Sequence, residues 1–104
     1  MRIAVGSDHR GFQIKSKLIT LLTADGHEVE DYGTQSDQAV DYPDFAVIVA
    51  KRVADSLVER GILICGTGFG MAIVANKFRG VRAASCSDEE IGRASCRERV
   101  CVPV

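Results

Sequence analysis

A cysteine followed by a glycine-rich loop is the segment whose residue types and spacing best fit chemistry. Cys65 ends an apolar run and leads into Gly66-Thr67-Gly68-Phe69-Gly70, after which a helix is predicted. Glycines at alternate positions leave successive backbone N–H groups unobstructed, and such groups at the positive end of a helix bind anions. The same environment favours a thiolate, although a buried cysteine is more often an inert apolar residue. The segment therefore predicts an anion-binding loop with a candidate thiolate at its rim.

A second candidate loop is Gly6-Ser7-Asp8-His9-Arg10-Gly11, which places a carboxylate, an imidazole and a guanidinium before a predicted helix. Its glycine spacing is that of a P-loop, but Phe12-Gln13 stands where Lys-Ser or Lys-Thr is required, so nucleotide phosphate binding is not supported. The loop after Cys65 is not a GxGxxG dinucleotide motif either. From residue types alone, ligand binding and helix capping by Ser7 or Asp8 are equally compatible with this loop.

The elements that must position these loops alternate along the chain. Hydrophobic patterning predicts strands near residues 2–6, 27–32, 61–65 and 81–86, and helices near residues 12–22, 42–59 and 71–78. Strands that alternate with helices pair in parallel through right-handed crossovers. The predicted fold is therefore α/β, a Rossmann-like three-layer αβα sandwich with a parallel sheet, strand two at its edge and strand three at its centre. Both loops then lie at the carboxyl ends of strands, where open parallel sheets bind ligands.

Composition narrows the classes of function. The 104 residues fit one domain, and 13 basic against 14 acidic side chains give no electrostatic case for a nucleic acid or a membrane as partner. The sequence shows no apolar run of membrane-spanning length and no export signal, so a cytoplasmic protein is expected. The four cysteines form no CxxC pair and are joined by only two histidines, so neither a metal site nor a disulfide scaffold is predicted.

The composition changes abruptly after residue 90. Residues 91–104 carry three arginines against one glutamate and show no periodic apolar pattern. The run 91–100 resembles an in-frame translation of a common sequencing adapter, and such segments are excluded from fold reasoning. We therefore expect residues 1–90 to form the domain and residues 91–104 to be a non-native tail that adds little to the core. A natural basic C-terminal tail is the alternative.

Short motifs throughout residues 1–90 stand in the order and at the spacing of one enzyme family. They are Gly6-Ser7-Asp8-His9-Arg10-Gly11-Phe12, Asp41-Tyr42-Pro43, Ile64-Cys65-Gly66-Thr67-Gly68-Phe69-Gly70, Ala75-Asn76-Lys77 and Arg82-Ala83. Through these motifs the sequence resembles the type B ribose-5-phosphate isomerases, a family that also contains galactose-6-phosphate isomerase subunits. The Cys-Gly-Thr-Gly segment is the most specific of them.

The resemblance implies isomerisation of a sugar phosphate, ribose 5-phosphate to ribulose 5-phosphate, through an enediolate and without a metal or other cofactor. In the family pattern Cys65 is the base that moves the proton, and Thr67 opens the furanose ring. The enediolate would be stabilised by backbone amides of the glycine-rich loop, those of Gly66, Gly68, Phe69 and Gly70.

Substrate binding is assigned by the same resemblance to Asp8 and His9, whose side chains can contact sugar hydroxyls or phosphate. Tyr42 is a further candidate for the sugar pocket, although an aromatic residue at a helix start is equally compatible with packing of that helix on the sheet. The small-molecule partner implied is a sugar phosphate.

The family's sites are shared between two subunits of a homodimer, so a homodimer is expected here. In the family, a C-terminal part supplies a His-Asn pair and phosphate-binding arginines, and this part does not follow Ile91 here. We therefore expect a fold incomplete at the C-terminus and a weakly active or inactive chain. Two alternatives remain open. One is an isomerase subunit for galactose 6-phosphate or another hexose phosphate, and the other is a non-catalytic Rossmann-like module that binds an anion at Gly66–Gly70.

Overall fold

Strands and helices alternate along the chain, as the hydrophobic pattern predicts. The computed structural model describes residues 1–33, 42–64, 69–86 and 100–103. In chain order the elements of these residues are β1 (Arg2–Ser7), a 3-10 turn (His9–Gly11), α1 (Phe12–Ala24), β2 (Glu28–Asp31), α2 (Tyr42–Ala54), β3 (Arg60–Ile64), α3 (Phe69–Asn76), β4 (Ala83–Cys86) and β5 (Val100–Pro103).

The described strands form one sheet in the order β2-β1-β3-β5-β4, and every neighbouring pair is parallel. From β1 the chain moves outward through α1 to β2, and then returns past β1 to β3. The direction of strand order therefore reverses between β1 and β3, which is where open parallel sheets bind ligands. The parallel sheet, the edge position of β2 and the central position of β3 are confirmed.

Two helical layers cover the sheet. Helices α2 and α3 pack together on one face, and the right-handed crossover through α1 places that helix on the other. Gly61 of β3 allows α2 to approach closely, because a Cβ there would lie 2.8 Å from Val49 Cγ1. The α2–α3 face holds a cluster of buried apolar side chains that includes Ala4, Val49, Val53, Leu63, Met71, Val100 and Val102. The predicted αβα sandwich is confirmed.

Helix α2 is shorter than its apolar pattern predicts. It ends at Ala54, and Ser56 adopts the left-handed conformation with φ 57°, which interrupts the helix. Val58 is still buried, so its side chain extends the apolar pattern from the connection that leads into β3. Among the residues that the structure describes, no helix is long and apolar enough to cross a membrane.

The strand β5 corrects the prediction for the C-terminal segment. Val100–Pro103 pairs with both β3 and β4, and Val100 and Val102 are fully buried in the core. The expectation that residues 91–104 add little to the core is therefore wrong for this strand. Val100 and Val102 are β-branched residues two positions apart, which is typical of a half-buried strand. A segment of four residues is too short to give a clear pattern next to the arginine-rich run that precedes it. The non-native origin of residues 91–104 stays a prediction.

Candidate functional site

The two predicted loops begin next to each other at the carboxyl edge of the sheet. Ser7, the last residue of β1, is in register with Ile64, the last residue of β3. The Asp8 N–H donates a hydrogen bond of 3.1 Å to the Ile64 carbonyl oxygen. Since Cys65 directly follows Ile64 in the chain, this bond joins the start of the first loop to the residue before the predicted base.

Asp8 is buried and caps the turn that leads into α1. Its Oδ1 accepts hydrogen bonds from the N–H groups of Arg10 at 3.0 Å and Gly11 at 3.1 Å. The capping role that the sequence allowed for Asp8 is thus confirmed. Because both capping bonds reach Oδ1, the second carboxylate oxygen retains acceptor capacity for a ligand hydroxyl.

Gly11 fixes the distance between the start of α1 and the end of β3. A Cβ at this position would lie 2.6 Å from Ile64 Cγ2 and 2.9 Å from the Ile64 carbonyl oxygen. No side chain therefore fits without a shift of the start of α1 relative to Ile64, whose carbonyl oxygen accepts the hydrogen bond from Asp8. Sequence reasoning noted this glycine only for its P-loop spacing and missed this close approach.

His9 and Ser7 flank Asp8 and differ in environment. His9 is half-buried within the 3-10 turn and interacts with neighbouring groups. Ser7 is fully buried, and its Oγ has no hydrogen-bond partner within residues 1–33, 42–64, 69–86 and 100–103. A buried hydroxyl without a partner costs about 1–3 kcal/mol. The capping that the sequence allowed for Ser7 is provided by Asp8 instead.

The remaining predicted site residues are placed in part. Tyr42 is the first residue of α2 with Pro43 in the first turn, and Phe69 and Gly70 open α3. For Tyr42 and Phe69 the backbone alone is described, whereas Gly70 is half-buried. The predicted roles of four residues lie outside the described residues and stay predictions, namely those of Cys65, Gly66, Thr67 and Gly68.

The Asn76 side chain connects α3 to the start of β4. Its Nδ2 donates to the Ala83 carbonyl oxygen at 3.0 Å, and its Oδ1 accepts from the Ala83 N–H at 2.8 Å. The amide of Asn76 therefore holds both backbone groups of one strand residue. The sequence motif Ala75-Asn76-Lys77 contains this asparagine, and its side chain makes local hydrogen bonds.

An ion pair between Glu30 and Arg52 joins β2 to α2. Arg52 donates from Nε and Nη2 to the Glu30 carboxylate at 2.8–3.0 Å, and the Tyr32 hydroxyl donates to the same carboxylate at 2.8 Å. Burial raises the pKa of Glu30, but the hydrogen bonds from Tyr32 and Arg52 and the charge of Arg52 outweigh it, so the pKa lies below its usual value. Burial and the bond to Glu30 raise the pKa of Tyr32.

The Glu30 pair makes folding stability depend on pH in the acid range. Because the pKa of Glu30 is lower in the folded chain than in the unfolded chain, its stabilisation is complete above the unfolded pKa of about 4.5. This stabilisation is lost as the pH falls through the folded pKa. Between about pH 6 and about pH 3, the melting temperature of Glu30→Gln should therefore fall less than that of the unchanged chain. Circular dichroism at several pH values measures it.

Glu28→Gln is the control for this measurement, since the Glu28 ion pair with Arg2 is largely exposed. Exposed pairs contribute little to stability, so this variant should keep the pH profile of the unchanged chain. A Glu30→Gln profile that matched the unchanged chain would contradict the prediction.

An open cleft of about 410 Å³ lies at the opposite edge of the sheet from the predicted loops. Its lining comes from the amino ends of β1 and β2 and from the α2–β3 connection, and includes Met1, Arg2, Glu28 and Glu59. Parallel sheets bind ligands at the other edge. We therefore assign the candidate site to the loops after β1 and β3 and not to this cleft.

The all-parallel sheet, with a crossover reversal between β1 and β3, defines a Rossmann-like α/β protein with a candidate ligand site at the carboxyl edge. The sequence matches the Ribose/Galactose Isomerase family over residues 3–100, and the chain belongs to that family.

Individual relatives are similar over most of the chain. Ribose-5-phosphate isomerase B of Escherichia coli is 51% identical over 84% of the chain. A 4-deoxy-4-sulfo-D-erythrose isomerase of a Clostridium species is 46% identical over 83% of the chain. The solved structure of Clostridium thermocellum ribose-5-phosphate isomerase B superposes with a TM-score of 0.93 at 42% identity, covering 97% of this chain.

The chain is shorter than these relatives. It spans 58% of the Escherichia coli protein, 55% of the Clostridium protein and 70% of the Clostridium thermocellum chain. The match to the solved structure includes nearly all of the chain, so the shared part extends through the central sheet.

Proposed function

We propose that this protein isomerises ribose 5-phosphate to ribulose 5-phosphate. The observation that carries the proposal is the Asp8 to Ile64 hydrogen bond, which joins the loop of Asp8 and His9 to the residue preceding Cys65. A substrate-binding loop and a catalytic loop must meet for this chemistry, because the base has to reach a sugar carbon held by the binding residues. Family membership supports the same assignment.

The proposed reaction moves one carbon-bound proton. The Cys65 thiolate removes the proton from C2 of the open-chain aldose, and the electron pair of that C–H bond forms the enediolate. The thiol then returns the proton to C1, while the O2 hydroxyl proton is transferred to O1, so that the ketose forms with no external reagent. Backbone N–H groups of Gly66–Gly70 stabilise the enediolate oxygen more than the ground-state carbonyl oxygen.

The other residues prepare the substrate. Thr67 acts in opening the furanose ring, and Asp8 and His9 bind sugar hydroxyls or phosphate. The capping bonds at Oδ1 hold the Asp8 carboxylate in one orientation, so its second oxygen is preorganised to accept from a hydroxyl. Tyr42 and Phe69 are the first residues of α2 and α3 and are proposed to line the sugar pocket.

A different sugar is the second candidate function. The family name covers galactose as well as ribose substrates, and one relative at 46% identity is named for a sulfonated four-carbon sugar. Relatives of comparable identity are therefore named for different anionic sugars. A galactose 6-phosphate or other hexose phosphate isomerase subunit uses the same loops and the same proton transfer.

A homodimer is part of the proposal, as the family resemblance implies. Helices α2 and α3 expose apolar side chains to solvent, among them Ile48 and Ile73. Burial of such side chains between two copies would be favourable, since removal of apolar area from water drives association. A cytoplasmic location likewise stays a prediction.

The proposal is tested first by binding. We expect ribose 5-phosphate to shift the backbone amide resonances of Asp8, His9 and Gly70 in an isotopically labelled chain, and ribose without phosphate to shift them much less. The chain spans 58% of the Escherichia coli relative, so turnover is measured as a second step, after the remaining residues of that protein have been joined to it.

The alternatives give different results in the same titration. Larger shifts with galactose 6-phosphate than with ribose 5-phosphate would favour a hexose phosphate isomerase. Equal shifts with inorganic phosphate alone, together with an unreactive Cys65 thiol, would favour a non-catalytic anion-binding module. Absence of shifts at the three amides with every sugar phosphate would contradict the proposed site.

A further inference from the structure

A buried cation lies close to the candidate site. Lys15 faces the sheet one turn into α1 and is 1% exposed. Its Nζ donates to both oxygens of Asp31, at 2.7 and 2.9 Å, and lies 5.5 Å from the centre of the Phe12 ring. Asp31 ends β2 and retains about a third of its side-chain exposure.

Placing this ion pair at a core position is energetically unfavourable compared with an apolar side chain. Removing a charged amine from water costs several kcal/mol, and a well-packed apolar residue of similar volume often gives equal or greater stability. A methionine at position 15 would fill similar space without that cost. The pair therefore calls for an explanation other than global stability.

The Asp31 carboxylate leads by hydrogen bonds to the loop that carries Asp8. Its Oδ1 accepts from the Gly33 N–H at 3.0 Å, and the Gly33 carbonyl oxygen accepts from the Ser7 N–H at 2.6 Å. Ser7 directly precedes Asp8. One continuous path of polar contacts thus runs from the Lys15 ammonium to the backbone of the first loop.

Gly33 is the sensitive link in this path. Its φ of 106° lies in a region that side-chain-bearing residues rarely adopt, and a Cβ there would lie 2.6 Å from Phe45 Cε1. A glycine has the greatest backbone freedom of any residue, so its orientation has to be fixed by its contacts. The hydrogen bond to Asp31 supplies such a contact, and the ammonium of Lys15 fixes the carboxylate.

We propose that Lys15 and Asp31 are positioning residues, which hold the Gly33 to Ser7 hydrogen bond and thereby the Asp8 loop in its ligand-binding arrangement. That this loop takes a sugar phosphate rests on the function proposed above. The effect of Lys15 and Asp31 on the backbone of this loop can be measured without any ligand.

The test is Lys15→Met, which keeps the volume and removes the charge. Asp31 is exposed enough for water to solvate its carboxylate, so the variant should fold with a melting temperature close to that of the unchanged chain. Amide hydrogen exchange at Ser7 and Gly33 is expected to accelerate by at least about tenfold, while Val49 and Ala50 of α2 keep their protection. The resonances of Asp8 and His9 should shift, and ribose 5-phosphate should bind at least about tenfold more weakly.

Arg52→Met is the matched control, because it breaks the neighbouring ion pair of β2 on the opposite face of the sheet. It should leave exchange at Ser7 and Gly33 unchanged even if it lowers the melting temperature. Unchanged exchange at these two amides in Lys15→Met, or the same acceleration in Arg52→Met, would overturn the inference. If the unchanged chain binds no sugar phosphate, the proposed function fails, and the exchange measurement still decides whether the pair positions the loop.

Discussion

Replacement of Cys65 by alanine is expected to abolish isomerisation and to leave sugar-phosphate binding nearly intact. In the proposed mechanism the thiolate acts only in proton transfer, whereas binding is distributed over Asp8, His9 and the loop amides. Loss of a general base costs on the order of 10²–10⁴-fold in rate. Because the chain spans 58% of the Escherichia coli relative, the rate is measured in a chimera that carries the remaining residues of that protein.

Deuterium incorporation at the reacting sugar carbons in D2O is the most direct measurement of this step. It detects proton abstraction even where net turnover is slow, and the variant should show none above the uncatalysed background. Cys86→Ala is the control, since Cys86 ends β4 outside both predicted loops. Incorporation at an undiminished rate in Cys65→Ala would assign the base to another residue.

Removal of residues 100–104 is expected to abolish cooperative unfolding. These residues contain β5, which lies between β3 and β4 and buries Val100 and Val102 completely. Without it, β3 and β4 lose their shared partner and the α2–α3 face of the sheet loses part of its core. Small domains are stabilised by only about 5–15 kcal/mol, so the loss of a central strand is comparable to the whole stability.

Thermal unfolding followed by circular dichroism measures this change. Single substitutions measure how much individual side chains contribute to the free energy of unfolding. Val102→Ala should lower the free energy of unfolding by about 2 kcal/mol, whereas Ile73→Ala, at a site 60% exposed, should change it by less than about 0.5 kcal/mol. A sharp transition at an unchanged temperature after removal of residues 100–104 would show that β5 does not contribute to the core.

Local patterns in the sequence predict the first half of the fold closely. The helical spacing after Phe12 and the glycine at position 26 predict α1 and its end, and Gly26 indeed adopts a φ of 88°. The unbroken apolar run before Cys65 predicts the central strand β3. Each of these signals depends on neighbours in the chain, which a sequence displays directly.

Features that depend on distant residues could not be predicted in this way. The hydrogen bond from Asp8 to Ile64 and the ion pair of Lys15 with Asp31 each join residues from different elements, and no local pattern marks them. Lys15 in particular is a residue type that is expected to face solvent on α1, whereas it is among the most buried side chains. The strand β5 was missed because its neighbours in the sheet, not its own four residues, determine its place.

The contact between Asn76 and Ala83 has a consequence for association between molecules. The Arg82 carbonyl oxygen accepts a hydrogen bond from the Val100 N–H of β5, so the next residue, Ala83, directs its N–H and C=O away from β5. There the Asn76 amide occupies both groups in the way that a neighbouring strand would. At the other margin β2 is only four residues long and carries the charged residues Glu28, Glu30 and Asp31, each held in an ion pair. A short edge strand with charged side chains is a poor template for another strand. The described sheet thus resists aggregation at its two margins by different means, one with a side-chain amide that imitates backbone and the other with a short strand of charged side chains.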